Sequence, residues 1–369
     1  SNAVIIGKSG SGKSTLVKKL IRGNYARGSK IIAIDPEREL KDMCDSIGGT
    51  WIDCGTGISG IINPLEVRKS TDENDDERKL STNDLSRHFQ TFRTFIKYYL
   101  QELSAYELTK VEDALTEVYK DKGITFDTDL SKLKSDDYPI MEDLYNKLLL
   151  NLDKAKLKNE PQNVIESLEK ICSLMKKSTT TDAKIFNGHS SVKVADKSDF
   201  IVLDINSLVD SDDSILKSQF FNILTWCWNE ICKNKDEQVI LVCDEAHLII
   251  DPNNRDGIDF LKKASKRIRK QNGSLILISQ NLIDFCSPEI ERYGQVIIDN
   301  SSYLLVMSQG QKEIEAVAKM LSLSESEKQF LTTASQGCGL FVIGQDTRLP
   351  IQVELRIEEK ELFGSAGGK

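Results

Sequence analysis

Two regimes of hydrophobic and polar positions alternate along the chain. In residues 1–65 short apolar runs alternate with helical stretches. Val4–Ile6 predicts a strand that runs into a glycine loop, Lys13–Arg22 a helix, and Lys30–Ile34 a buried strand ending in Asp35-Pro36. Leu40–Ile47 reads as helix and Thr50–Cys54 as a further strand. After Asn63-Pro64 the pattern changes. Residues 70–80 are too charged to pack and predict an exposed connection. From Asp84 to about Lys177 apolar residues recur three and four apart, as in Leu85, Phe89, Phe92, Phe95, Ile96 and Tyr99, or Leu144, Leu148, Leu149 and Leu152. The first regime then returns. Phe200–Leu203, Val239–Cys243 and Ser274–Ser279 predict strands, Ile215–Cys232 an amphipathic helix, and Gly257–Lys270 a basic helix. Gly339–Ile343 and Ile351–Leu355, joined by Gly344–Pro350, predict an antiparallel hairpin.

The expected fold class is therefore α/β, a mostly parallel sheet interrupted by an inserted all-α domain. The expected boundaries are 1–66 for the first part of the core, 67–190 for the insert and 191–369 for the rest. A formal charge of −8 argues against a protein that coats nucleic acid by bulk electrostatics. No run approaches the roughly 20 apolar residues of a membrane span. Eight cysteines form no CxxC pair and no Cys/His cluster, which predicts buried, reduced thiols and a cytoplasmic setting. Ser1-Asn2-Ala3 reads as an expression scar, and the short lead-in before the glycine loop suggests a natural protein that continues upstream.

The candidate chemistry begins in that loop. Gly7-Lys8-Ser9-Gly10-Ser11-Gly12-Lys13-Ser14 fits G-x-x-x-x-G-K-[ST] in full, between a strand and a helix. Glycines let backbone N–H groups turn inward around phosphate, and the helix starting near Lys13 offers its positive end. Gly7, Ser9, Gly10, Ser11, Gly12, Lys13, Ser14 and Thr15 are the candidate ATP-binding residues, with Lys13 reaching the β- and γ-phosphates and the Ser14 hydroxyl holding Mg²⁺. Val239–Cys243 delivers Asp244 to a strand's carboxyl end, as a second candidate for the Mg²⁺ shell, followed by Glu245 to accept a proton from the attacking water. Leu275–Ser279 ends in Gln280, an amide suited to sensing the γ-phosphate.

Other positions stay open. The basic helix admits a solvated face, a nucleic-acid contact, or an arginine finger in Arg267 or Arg269 that reaches a neighbouring subunit's nucleotide. Arg348 is a second finger candidate. Asp35 or Glu37 stands near the metal or water, or caps a helix. His88, His189 and His247 show no ligand spacing; His247 sits at the edge of the acidic pair.

The phosphate loop, Ile34-Asp35-Pro36-Glu37-Arg38-Glu39, Gly60-Ile61-Ile62-Asn63-Pro64-Leu65, Phe186-Asn187-Gly188-His189, Cys243-Asp244-Glu245-Ala246-His247, Ser279-Gln280-Asn281 and Gly337-Cys338-Gly339-Leu340-Phe341 occur in that order. The ordered set resembles the ATPase domain of the type IV secretion and conjugative transfer ATPases, the VirB-four, TraC and TrbE group, over most of the chain. The resemblance implies a RecA-like P-loop NTPase core of the HerA/FtsK type, with the strand bearing Gln280 between those bearing Lys13 and Asp244. It further implies an ATP- and Mg²⁺-dependent motor at the cytoplasmic face of a bacterial inner membrane, associated peripherally through other type IV secretion subunits. Assembly as a homo-hexamer or a subassembly of one follows, powering pilus assembly or substrate transfer. An FtsK-type DNA translocase or coupling ATPase, with transient DNA contact, and an ATP-gated scaffold without turnover are the competing readings.

Overall fold

The computed structural model describes residues 1–69, 82–192, 198–249, 255–280, 291–344 and 347–363. The charged segment 70–80 and Asn281 lie outside them. In chain order the strands and helices begin with β1 (Ala3–Ile6), α1 (Lys13–Tyr25), β2 (Lys30–Asp35), α2 (Lys41–Ser46) and β3 (Thr50–Asp53). Helices α3 (Thr82–Tyr99), α4 (Ala105–Asp121), α5 (Met141–Leu157), α6 (Gln162–Met175) and α7 (Ala183–Phe186) follow. Next come β4 (Phe200–Asp204), α8 (Asp213–Lys233), β5 (Val239–Cys243), α9 (Asp256–Arg267), β6 (Gly273–Ser279), α10 (Glu291–Asp299) and β7 (Tyr303–Met307). The chain closes with α11 (Ile314–Leu321), α12 (Glu325–Thr333), β8 (Cys338–Ile343), β9 (Thr347–Gln352) and α13 (Ile357–Leu362).

Two compact units result: Ser1–Ile52 with Val194–Asn206 and Asn234–Lys369, and Asp53–Lys193 with Ser207–Lys233. The first carries the sheet, ordered β3-β4-β2-β5-β6-β1-β7-β8-β9. The pairs from β4 to β7 are parallel, and β7–β8–β9 is antiparallel. This is the mostly parallel sheet expected, with helices α3–α7 inserted between β3 and β4. The near-continuous apolar runs of β1, β2, β5 and β6 are buried throughout, which suits strands covered on both faces. Leu16, Val17 and Ile21 of α1 pack with Ile5, Ile31, Val242, Ile276 and Ile278 in one core.

Three readings change. The second hairpin strand is 347–352, not 351–355: Pro350 sits opposite Leu340, which an outermost strand tolerates because its free edge needs no ladder donor. The basic helix ends at Arg267 and tightens into a 3₁₀ turn over Ile268–Gln271. Helix α8 is not amphipathic. Every residue from Ser218 to Trp228 is buried, which erases the polar stripe that periodicity suggests.

The second unit is held by aromatic packing and a buried cation. Phe95, Tyr99 and Phe186 form a triangle with ring centroids 5.1–5.7 Å apart, and the Tyr99 hydroxyl donates to Asp182 at 2.8 Å. Arg68 donates to the Asn222 carbonyl (2.9 Å), Asn222 Oδ1 (2.8 Å), Thr225 Oγ1 (2.7 Å) and the Asn63 carbonyl (2.6 Å). Burial drags its guanidinium down to about 10. His88, buried nearby, is pushed down to about 3 by burial and by the Arg68 charge, so it is a neutral core residue. Among the described residues no cysteine is in a disulfide, and all but half-buried Cys338 are buried. No helix among them is long and apolar enough to cross a membrane.

Candidate active site

The register of the parallel strands creates the site. Ile6 lies opposite Ser279, Cys243 opposite Leu277, and Ile34 opposite Cys243, so four strands end on one edge. The residues that follow them, Gly7, Gln280, Asp244 and Pro36, leave the sheet together. That is the edge where open α/β sheets bind ligands. With β6 between β1 and β5, Gln280 falls between the glycine loop and the acidic pair.

The glycine loop is built as a cradle. Gly10 and Gly12 adopt φ of 73° and 99°, conformations that L side chains rarely take. Gly12 caps α1 without a side-chain hydrogen bond, and no acidic residue occupies the first turn. The helix therefore presents its first N–H groups and positive end to the cavity, the arrangement that receives phosphate. The Ser11 hydroxyl is buried without a partner. The loop is pinned from behind: Lys8 N–H donates to the Ser308 carbonyl at 3.0 Å, and Gly337 N–H donates to the Ser11 carbonyl at 2.9 Å. A Cβ on Gly7 would lie 2.7 Å from Met307 Cβ at the end of β7, so only glycine fits there.

Lys13 Nζ folds back to donate to the Gly7 carbonyl at 2.6 Å and the Lys8 carbonyl at 3.2 Å. Burial pulls its pKa down; the nearby carboxylates of Glu245, Asp244, Glu37 and Glu39 oppose this. Asp244 is driven well above the usual carboxylate range by burial, then by the charges of Glu245 and Asp35. A buried carboxylate beside like charges calls for a cation. Together with Ser14 it supplies hard oxygen donors that fit Mg²⁺.

Glu245 follows in the left-handed region, φ 47°, an unusual conformation for a non-glycine residue and a mark of functional sites. Gln280 Nε2 donates to Glu245 Oε1 at 2.7 Å and to Glu37 Oε1 at 3.3 Å. His247 Nδ1 lies 2.8 Å from Glu245 Oε2, an ion-pair contact when the ring is protonated. Burial pushes Glu245 up, but His247, Gln280 and the Lys13 charge outweigh it and hold the carboxyl below its ordinary value.

The cavity so enclosed measures about 170 Å³. Ser9, Gly10, Gly12, Lys13, Ser14, Thr15, Glu37, Asp244, Glu245 and Gln280 line it. The alternative left between Asp35 and Glu37 resolves. Asp35 accepts the N–H groups of Glu39 (3.1 Å) and Leu40 (2.8 Å) and is pushed up to about 6, by burial first, so it caps the turn into α2. Glu37 faces the cavity.

The candidate arginines lie elsewhere. Arg267 and Arg269 precede β6, beside the amino ends of the strands; Asn2, just before β1, donates to the Ser265 carbonyl at 2.6 Å. Arg267 is only 3% exposed, and exposed Arg269 donates to Ser302 Oγ at 2.7 Å and the Asn300 carbonyl at 3.3 Å. Neither lines this chain's cavity. Arg348 is spent on Glu327 and the carbonyls of Leu321 and Ser322. His189 Nδ1 meets the Ser135 carbonyl in the helical unit. Gln336 also lines the cavity, a role no spacing signals, and its neighbour Gly337 stood in the ordered motif set without one.

With this geometry in view, the family model described as the TraG P-loop domain matches residues 1–337. The chain belongs to the TraG P-loop domain family. A solved structure of VirB4 from Thermoanaerobacter pseudethanolicus superposes with TM-score 0.88 at 40% identity, covering 97% of this chain and 90% of that one. The conjugative coupling protein TrwB shares the fold at 12% identity, TM-score 0.61, over 96% of this chain and 85% of its own. Among curated sequences, an uncharacterized protein of Bacillus anthracis is 25% identical over 402 residues, 99% of this chain and 61% of its own length. Protein TraC of Escherichia coli is 22% identical over 316 residues, 85% of this chain and 33% of its own. The chain thus spans less than two thirds of these two relatives. It is a P-loop NTPase domain homologous to VirB4- and TraC-type ATPases.

Proposed function

We propose that this domain hydrolyses ATP with Mg²⁺ and is the motor of a type IV secretion or conjugation apparatus, acting at the cytoplasmic face of a bacterial membrane. The observation that carries the reading is the meeting of Lys13, Asp244, Glu245 and Gln280 in one cavity at the strand ends. Lys13 exchanges the Gly7 and Lys8 carbonyls for phosphate oxygens. Ser14 and Asp244 would hold Mg²⁺, which would supply positive charge to offset that of the phosphates. Glu245 aligns water and takes its proton, and Gln280 reports the γ-phosphate.

Docking on other secretion subunits accords with the likeness to VirB4 and TraC, and the proposal adds work in a homo-hexamer or subassembly. Of the two arginines, a contact reaching a neighbour's nucleotide falls to exposed Arg269 rather than buried Arg267. Phosphate release from ATP, followed over a range of protein concentrations, tests this. Turnover per subunit should rise with concentration and vanish in Lys13→Ala. Failure to bind or cleave ATP at any concentration would overturn the reading. Strong stimulation by DNA, lost steeply with salt, would move it to the translocase class.

A further inference from the structure

The left-handed turn at Glu245 has a consequence for the residue two positions on. Strand β5 ends at Cys243, and Asp244 Oδ1 accepts the Glu245 N–H at 2.9 Å. The chain then reverses through Glu245 into a 3₁₀ turn over Ala246–Ile249, closed by Leu248 N–H donating to the Glu245 carbonyl at 2.9 Å. A straight strand would leave residues i and i+2 side by side on one face. Here the reversal brings the His247 ring back onto the Glu245 carboxylate. That carboxylate has a neighbour at each end: Oε1 accepts from Gln280, and Oε2 lies in a 2.8 Å ion-pair contact with His247 Nδ1, off hydrogen-bond alignment. The Glu245 side chain is 7% exposed, whereas His247 is one-third exposed.

The two contacts are not equivalent. Gln280 Nε2 also reaches Glu37, so it already serves two acceptors, and an arriving γ-phosphate is a stronger third. His247 is fixed to the same turn as Glu245 and moves with it. The geometry points to His247 as the positioning residue of the general base: it anchors Glu245 Oε2, so that Oε1 stays aimed at the attacking water once Gln280 transfers to phosphate. This rests on the reading of Glu245 as base. Without the anchor the carboxylate swings about its last bond, and small misplacements of a base cost up to about a hundredfold in rate.

The nitrogen involved is Nδ1, which an asparagine amide reproduces in position and a glutamine amide does not. Steady-state ATP hydrolysis, with binding of a fluorescent ATP analogue and thermal melting as controls, is measured for the parent, Glu245→Gln, His247→Ala, His247→Asn and His247→Gln. His247→Ala and His247→Gln should lower kcat by about ten- to a hundredfold. Their KM and analogue affinity should stay within about twofold of the parent, and His247→Asn should recover most of the rate. Should the alanine variant melt early, the asparagine–glutamine comparison still decides. Parent-like kcat in His247→Ala, or an asparagine variant as slow as the glutamine one, overturns the proposal alone, provided Glu245→Gln is inactive. Parent-like turnover in Glu245→Gln removes the base reading and this proposal with it.

Discussion

Gly12→Ala probes how tightly the loop is built. Gly12 sits at φ 99°, and a Cβ there would lie 3.0 Å from the Gly337 nitrogen and 3.1 Å from its Cα. Two costs follow. A left-handed conformation costs an L residue about 1–2 kcal/mol. Backbone atoms cannot swing aside as a side-chain tip can, so relief means moving Gly337 off the Ser11 carbonyl, a hydrogen bond worth about 1 kcal/mol. The total is about 2–3 kcal/mol. If the loop keeps its shape, the loss falls on folding stability. If it relaxes, binding must restore it, and ATP affinity drops by about 30- to 140-fold at roughly 1.4 kcal/mol per tenfold. Urea denaturation of the free protein and calorimetric titration with ATP and Mg²⁺, taken together, recover the sum. A variant within about 0.5 kcal/mol of the parent on both counts, well under the strain cost alone, refutes the reasoning.

Three other outcomes are expected. Asp244→Asn should raise the Mg²⁺ concentration needed for ATP binding by about 10- to 100-fold, the range for a residue steering a metal's shell, as read in a Mg²⁺ titration. Arg68→Ala takes the guanidinium donor from buried Asn222 Oδ1, and should cost about 1–3 kcal/mol in urea denaturation. Glu359 accepts the Arg356 N–H and pairs with Lys19 and Arg22, contacts that hold its carboxyl down at about 2. Because the folded value lies below the unfolded one, this stability is present above about pH 4.5 and is lost as pH falls toward 2. With both cations partly in water, Glu359→Gln should cost about 1–2 kcal/mol at pH 7 and progressively less below pH 4.5, in denaturation curves across that range.

Much of the core was legible because its signals are local. The glycine loop announces itself by spacing, and β2, β5 and β6 are apolar runs long enough to be nothing but buried strands. Tyr303–Met307 gave no such signal: five apolar residues with an exposed tyrosine fit a helix turn as well as a strand, and only pairing with β1 and β8 decides. Helix α8 misled for a related reason. Its polar residues, Gln219 and Asn222 among them, are buried because each finds a partner: Gln219 donates to the Cys54 carbonyl and Asn222 to that of Ile62. Periodicity cannot tell a satisfied buried amide from a solvated one.

At the site, residue types singled out Lys13, Asp244, Glu245 and Gln280 as candidates, whereas their convergence required the sheet order. Asp35 and Glu37 were interchangeable in sequence. They separate because one meets two N–H groups of the turn and the other faces the cavity. Arg267 and Arg269 looked alike for the converse reason: charge and spacing carry no burial, and tertiary packing encloses one and exposes the other.

The most direct test of the central claim compares the parent with Glu245→Gln in two readings, filter-bound labelled ATP and phosphate release at saturating ATP and Mg²⁺. The variant should retain ATP uncleaved with near-parent affinity while its turnover falls by about a hundredfold or more, the range for loss of a positioned base. Equal phosphate release from the two proteins would contradict it.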